Sequence, residues 1–281
     1  MQAIDYAKNV TESFALPDVC IRIKELLDDD CSTADDIAEV VSLDPSLSLK
    51  LLKLANSALY NFPAEISTIG KAVNVIGAKA LYNLVITETA TSAFRHFENN
   101  AINLERFWQQ SVYCSLVAKE LASQAKIRDI ERYFVIGLLH NFGELAVASQ
   151  TPDKAALCEQ YSDKMKPWQQ QRSVLGYTYA DVTAEILKLW GLPEELFRPI
   201  EHHNDVMWAL DDQDTAILNA ASRIALSIVH PDKYSQTKIL NPEIIKSFDL
   251  HAEEVVEASQ YARMEAYNIL VIMNPELFLI H

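Results

Sequence analysis

The chain has 281 residues, 49% of them hydrophobic, and a formal net charge of −15 from 39 acidic and 24 basic residues. This composition excludes an intrinsically disordered chain, and the negative charge, with no local stripe of lysine and arginine, disfavours direct binding to nucleic acid. No apolar run is long enough to cross a membrane and the N-terminus lacks the apolar segment of a signal peptide, so we expect a cytoplasmic protein without membrane insertion.

Helix signals recur along the first third of the chain and predict about five short helices within residues 1–95. Their boundaries are marked by Pro17, Ser32 with Asp35, Asp44 with Pro45, Ser67 and Gly77. The chain has only six glycines and no Asn-Gly or Asp-Gly dipeptide, which disfavours an antiparallel β-protein. The predicted fold class is therefore all-α.

The polar stretch His-Phe-Glu-Asn-Asn at 96–100 predicts a boundary after the first helices. It divides the chain into an N-terminal helical subdomain over 1–97 and a larger helical domain over 98–281 with a C-terminal helical extension. Apolar periodicity in the second part predicts helices over 104–124, 130–149, 153–164, 168–175, 179–190, 194–203, 214–229, 242–248 and 252–273.

Histidines are the residues most able to carry chemistry. His140 lies with Asn141 inside an apolar predicted helix, and His202 and His203 end another. All-α proteins build metal sites in this way, and imidazole suits Mn, Fe or Zn. The alternatives are a core His140 whose ring bonds Asn141 or Glu144, and a histidine pair that the helix dipole favours at a C-terminus.

The order of the short motifs resembles that of the HDOD family, a relative of the HD metal-dependent phosphohydrolases. The resemblance runs from about residue 14 to 205 and rests on Leu16-Pro17, Asp44-Pro45-Ser46-Leu47, residues 51–60, residues 66–77, Gly137-Leu138-Leu139-His140-Asn141, Leu175-Gly176, Trp190-x-Leu192-Pro193 and Ile200-x-His202-His203. It implies a helical N-terminal subdomain followed by an HD-like helical domain.

Working HD enzymes hold divalent ions through a His, a His-Asp pair and a distal Asp. The resemblance places Gln110 at the first of these positions, His140 and Asn141 at the pair, and Ser222 at the last. A further histidine that some relatives use corresponds to Tyr179. Neutral amides and a hydroxyl do not offset the free energy that a divalent ion loses when its water ligands are removed. We therefore expect no bound metal and no catalytic residue.

The resulting hypothesis is a non-catalytic, bacterial-type signal-transduction module that binds a signalling protein or a nucleotide second messenger. The candidate vestigial pocket comprises Gln110, His140, Asn141, Glu144, Tyr179, His202, His203 and Ser222. One alternative is a metal-dependent phosphohydrolase with a divalent ion near His140, in a rearranged site that also uses Glu144, His202 and His203. The other is a pure protein–protein scaffold.

Overall fold

A computed structural model describes residues 1–57, 59–60, 62–93 and 101–278 of the protein. The described residues form helices, turns and loops without a β-strand, which confirms the all-α prediction. In chain order the helices are α1 Ala3–Ser13, α2 Asp18–Asp28, α3 Ala34–Ser42, α4 Pro45–Ala55, α5 Ile69–Ile76, α6 Ala78–Ala93, α7 Leu104–Gln124, α8 Ile130–Leu139, α9 Gly143–Gln150, α10 Pro152–Cys158, α11 Pro167–Leu175, α12 Tyr179–Leu189, α13 Glu194–His202, α14 Val206–Asp211, α15 Gln213–Val229, α16 Gln236–Ile239, α17 Pro242–Ser247, α18 Ala252–Met273 and α19 Pro275–Phe278.

Side-chain caps explain where several helices begin. The Asp44 carboxylate accepts from the backbone amides of Ser46 and Leu47 at 2.9 and 3.0 Å, with Pro45 as the first helical residue of α4. Asn241 and Pro242 begin α17 in the same way. The N-termini of these helices are set by hydrogen bonds within one turn, so they can be predicted from the sequence without the tertiary structure.

The predicted cap of the second helix, Ser32 with Asp35, is wrong by one residue. Thr33 is the N-cap of α3 and forms a reciprocal capping box with Asp36. The Ser32 hydroxyl donates instead to the carbonyl of Leu26 in the preceding helix. Both residues satisfy the local cap pattern, and only the path of the chain out of α2 selects between them.

The chain divides into two compact units. The larger unit comprises Met1–Ala15 and His96–Met264, and the smaller unit comprises Leu16–Arg95 and Glu265–His281. The first helix was not predicted, and it belongs to the larger unit because α1 packs on α12 and α9. There the Tyr6 hydroxyl bonds the Thr151 hydroxyl at 2.7 Å. The division at residue 97 remains a prediction, and the stretch 96–100 that motivated it lies outside the described residues.

The smaller unit is built around α2 to α6. Helix α3 packs on α5 and on α2, while α4 packs on α6 and α5. Its fully buried side chains include Ile23, Val41, Leu51, Leu54 and Leu81, at the spacing that the apolar periodicity predicts. Gly77 ends α5 at a φ of 90°, so the predicted end of that helix is confirmed.

The larger unit is centred on α7, α8 and α15. Helix α7 packs along both others, and most of the residues of α15 are buried. Around them lie α9, α12 and α13, and α12 contacts both of its neighbours. The apolar faces of these helices leave polar side chains buried where the helix ends converge.

No single helix in the described part of the chain is both long and apolar enough to cross a membrane. Helices α5 and α6 reach that composition only when taken together, and they are bent by 118° at the break between them.

Candidate functional site

One cavity in the larger unit brings most of the predicted residues together. It offers about 50 Å³ to water-sized molecules, which is room for a few waters or one small ionic group. The predicted residues that line it are Gln110, His140, Asn141, Glu144, Tyr179, His203 and Ser222.

His202 does not line this cavity. Its ring stacks almost parallel on Trp208 with 4.0 Å between centroids, whereas the neighbouring His203 is buried in the cavity wall. Both histidines were placed in the predicted pocket, but adjacent residues on a helix point in different directions, which explains why only His203 of the pair lines this cavity.

The turn at His140 is a break between two helices and not the interior of one. The predicted helix over 130–149 is wrong in this respect, because α8 ends at Leu139 and α9 begins at Gly143. The backbone amide of Gly143 donates to the Thr183 hydroxyl of α12 at 2.8 Å. A Cβ on Gly143 would lie 2.1 Å from the carbonyl oxygen of Tyr179, so glycine permits the close approach of α9 to α12.

Two neutral imidazoles lie side by side in the cavity wall. The Nδ1 of His140 donates to the Gly137 carbonyl at 2.6 Å, and the Nδ1 of His203 donates to the Ile200 carbonyl at 2.7 Å. The ring centroids are 5.7 Å apart with the planes nearly perpendicular. Burial lowers the pKa of His140 to about 4 and the pKa of His203 well below its usual value, so each Nε2 is a hydrogen-bond acceptor at neutral pH.

The expected partners of His140 are engaged elsewhere. The Asn141 amide donates to the Glu144 carboxyl in a short hydrogen bond, and His140 bonds a backbone carbonyl instead of either side chain. Burial, with Glu159 adding to it, raises the pKa of Glu144 well above its usual value. Burial also raises the pKa of Glu159, against the opposing charges of Arg106 and Lys233. The two carboxyls therefore retain protons more tightly than exposed ones do.

A buried arginine lies beside Ser222, the residue that the resemblance places at the distal Asp. The Ser222 hydroxyl donates to the Asn219 carbonyl at 3.0 Å, and Arg223 donates to that carbonyl at 3.1 Å and to the Ser222 hydroxyl at 3.2 Å. The guanidinium stacks over the cavity-lining ring of Trp168 at 4.3 Å. Burial lowers the pKa of Arg223 to about 9, which leaves it cationic at neutral pH and depresses the pKa of His140 further.

These residues do not fit a divalent metal of the HD type. Three or more His, Cys, Asp or Glu side chains arranged to hold an ion do not occur among the described residues. The wall provides the imidazoles of His140, His203 and His230, two amides, a hydroxyl that is already donating and the carboxyls of Glu144 and Glu159, with an arginine cation behind it. Hard divalent ions require several anionic oxygens to replace their water, whereas burial raises the pKa of both carboxyls here and Glu144 is already bonded to Asn141.

Several residues that line the cavity were not predicted from the sequence. They are Asn103, Arg106, Phe107, Glu159, Tyr161, Pro167, Trp168, Gln171, Ala180, Asn204, Leu226 and His230. The Tyr161 hydroxyl lies 3.0 Å from the Nε2 of His230, although 69 residues separate them along the chain. One signal was available, because Arg106 precedes Gln110 by one helical turn and so shares its face.

Comparisons with solved structures support the fold. A candidate phosphohydrolase from Shewanella amazonensis SB2B is 24% identical with a TM-score of 0.71, and 97% of each chain is covered. An HDOD domain protein of unknown function from Geobacter sulfurreducens is 21% identical, with 99% of this chain and 98% of that one covered at a TM-score of 0.68. A candidate signal transduction protein from Marinobacter aquaeolei VT8 is 22% identical at a TM-score of 0.72, with 93% of this chain and 59% of that one covered.

Comparison of sequences identifies the family. A protein of uncharacterised function from Treponema pallidum (strain Nichols) is 26% identical over 225 residues, which are 78% of this chain. The match covers 43% of that relative, so this chain spans less than half of its length. The HDOD domain matches residues 14–206. This chain therefore belongs to the HDOD domain family.

Proposed function

We propose that the protein is a non-catalytic signal-transduction module that acts by binding a protein or nucleotide partner. The observation that carries the proposal is the chemistry of the cavity wall. Gln110, Asn141 and Ser222 surround the same cavity as His140, and none of the three is anionic.

Metal-dependent hydrolysis requires a firmly held ion that lowers the pKa of a bound water to about 7. The imidazoles of His140 and His203 are poor ligands for such an ion, because Arg223 acts on both rings and burial raises the pKa of the lining glutamates. A cavity lined by side chains that donate and accept hydrogen bonds is suited to recognition. The Marinobacter protein of the same fold is described as a candidate signal transduction protein, which agrees with this role.

Restoring the metal ligands tests the proposal. The triple variant Gln110→His, Asn141→Asp and Ser222→Asp provides two imidazoles and two carboxylates around one cavity. Thermal unfolding is followed in millimolar Mn²⁺ for the wild type and the variant, together with hydrolysis of phosphomonoesters and cyclic nucleotides. In the wild type we expect Mn²⁺ to leave Tm unchanged and neither substrate class to be hydrolysed. In the variant we expect Tm to rise when metal is added. Metal at 100 times its Kd stabilises by about 2.7 kcal/mol.

Activity need not return in the triple variant, because the residues that orient metal ligands also differ. The proposal is wrong if the wild type binds one Mn, Fe or Zn ion per chain and loses a phosphohydrolase activity on the substitution His140→Ala. A folded triple variant without metal-dependent stabilisation would show that the ligand positions were placed wrongly.

A further inference from the structure

Arg223 is a buried cation that makes no ion pair within the described residues. Its side chain is 4% exposed, yet its guanidinium donates only to the neutral oxygens of Asn219 and Ser222. A buried charge is costly unless a group of opposite charge compensates it. Arg223 lies directly behind the cavity lining, where it bonds Ser222 and stacks on Trp168, so its charge is available to an anion in the cavity.

Arg132, in the same unit, is a buried arginine whose charge is compensated by a carboxylate. It is 9% exposed and donates to both carboxylate oxygens of Asp214, at 2.6 and 3.1 Å. The pKa of Arg132 is raised by that partner, whereas burial lowers the pKa of Arg223 to about 9. The fold can therefore provide a carboxylate for a buried arginine, and at Arg223 it does not.

One further cation lines the cavity, and two others act on residues of its lining. Arg106 lines it directly, and the Lys233 ammonium lies 4.8 Å from the ring centroid of Tyr161, which also lines it. The charge of Arg172 helps to lower the pKa of the buried His203. In a chain with 39 acidic and 24 basic residues, this local excess of positive charge is contrary to the overall composition.

The acidic groups that face the cavity do not cancel this excess. They are Glu144 and Glu159 in the wall and Asp232, whose charge acts on His230. Burial raises the pKa of both glutamates, and the charge of Glu159 raises the pKa of Glu144 further, so both carboxyls hold their protons more tightly than exposed ones do. Arg106 and Arg223 thus contact the cavity lining, where burial raises the pKa of both glutamates.

We propose that this cavity binds one small oxyanion group, a phosphate or a carboxylate, with the charge compensated by Arg106 and Arg223. The proposal rests on the proposed function, because a ligand that is bound and not turned over is what a recognition module requires. The available space suits a single anionic group. Arg106 and the Gln110 amide are lining donors that can reach it, and Arg223 stabilises it from behind Ser222.

Isothermal titration with sodium phosphate and with sodium acetate, at constant ionic strength in chloride, tests the proposal. The arm that binds more tightly assigns the oxyanion as phosphate or carboxylate. Because each partner of a charge-assisted bond contributes strongly, Arg106→Gln should weaken binding roughly tenfold. Glu159→Gln should strengthen binding, since it removes an opposing charge. Arg198→Gln is the matched control, because Arg198 pairs with Glu194 and Asp212 and does not line the cavity.

Arg223→Met provides a second test. Replacing a buried unpaired charge by an apolar side chain should leave Tm unchanged or raise it, while oxyanion binding is lost. Absence of millimolar binding in the wild type, or the opposite signs for Arg106→Gln and Glu159→Gln, would overturn the oxyanion site. Phosphate binding that occurs only with added Mn²⁺ would instead contradict the proposed function, since it would reveal a metal.

Discussion

The close approach of α9 to α12 at Gly143 predicts that Gly143→Ala destabilises the protein strongly. The added methyl would lie 2.1 Å from the Tyr179 carbonyl oxygen and 2.8 Å from the Cβ of Val182. Ordinary contact begins at 3.4 Å, so the two helix backbones must separate by roughly 1 Å. Neither clashing atom is the end of a flexible side chain, which places the cost near the upper end of the range of about 1–3 kcal/mol for overpacking.

Thermal unfolding followed by circular dichroism measures this cost. Since 1 kcal/mol corresponds to about 2–4 °C for a unit of this size, a cost of about 3 kcal/mol should lower Tm by roughly 6–12 °C. Gly70→Ala is the matched control, because the nearest atom to its added methyl is the Cβ of Ala38 at 4.0 Å. That substitution lies within α5 and should be neutral or stabilise by up to about 1 kcal/mol. A Tm for Gly143→Ala within 2 °C of the wild type would refute the reasoning about this contact.

Two further predictions concern buried charges. Because the pKa of Glu144 is raised in the folded protein, its contribution to stability is complete below the unfolded value of about 4.3 and is lost as pH rises through the folded value. Glu144→Gln should therefore stabilise the protein at pH 8 relative to the wild type, with a smaller difference at pH 5. Urea unfolding at the two pH values measures both differences. An equal difference at the two pH values would contradict the raised pKa. Asp214→Asn should cost about 3 kcal/mol in urea unfolding, because it leaves Arg132 and the Tyr133 hydroxyl without their carboxylate partner, and an unchanged midpoint would show that water replaces it.

Local signals were sufficient for most of the helices. Helices α7 and α18 have the bounds that apolar periodicity predicts, and the start of α4 follows from Asp44 and Pro45. These features depend on bonds between residues at most four apart, so a sequence determines them by itself. The first helix was not predicted, because few of its residues are buried apolar side chains and the apolar pattern is therefore weak. These few side chains pack on α12.

Prediction of the cavity residues needed both the sequence motifs and the tertiary structure. Motif order was enough to bring Gln110, His140 and Ser222 into one predicted pocket, and the structure lines a single cavity with all three. Tertiary structure alone decided that His203 faces this cavity while His202 stacks on Trp208, because the rotation of α13 is set by its packing on α12 and α15.

The electrostatic character of the cavity could not be read from the chain. The overall charge of −15 indicates an acidic surface, whereas Arg106 lines the cavity and Arg223 lies directly behind Ser222 in its wall. These residues are far apart in sequence and match no spacing rule, and their effect arises from distance and burial in a medium of low dielectric constant. The sequence by itself determined most of the helices, through caps and apolar periodicity, and only the packing of those helices decided which charges surround the cavity.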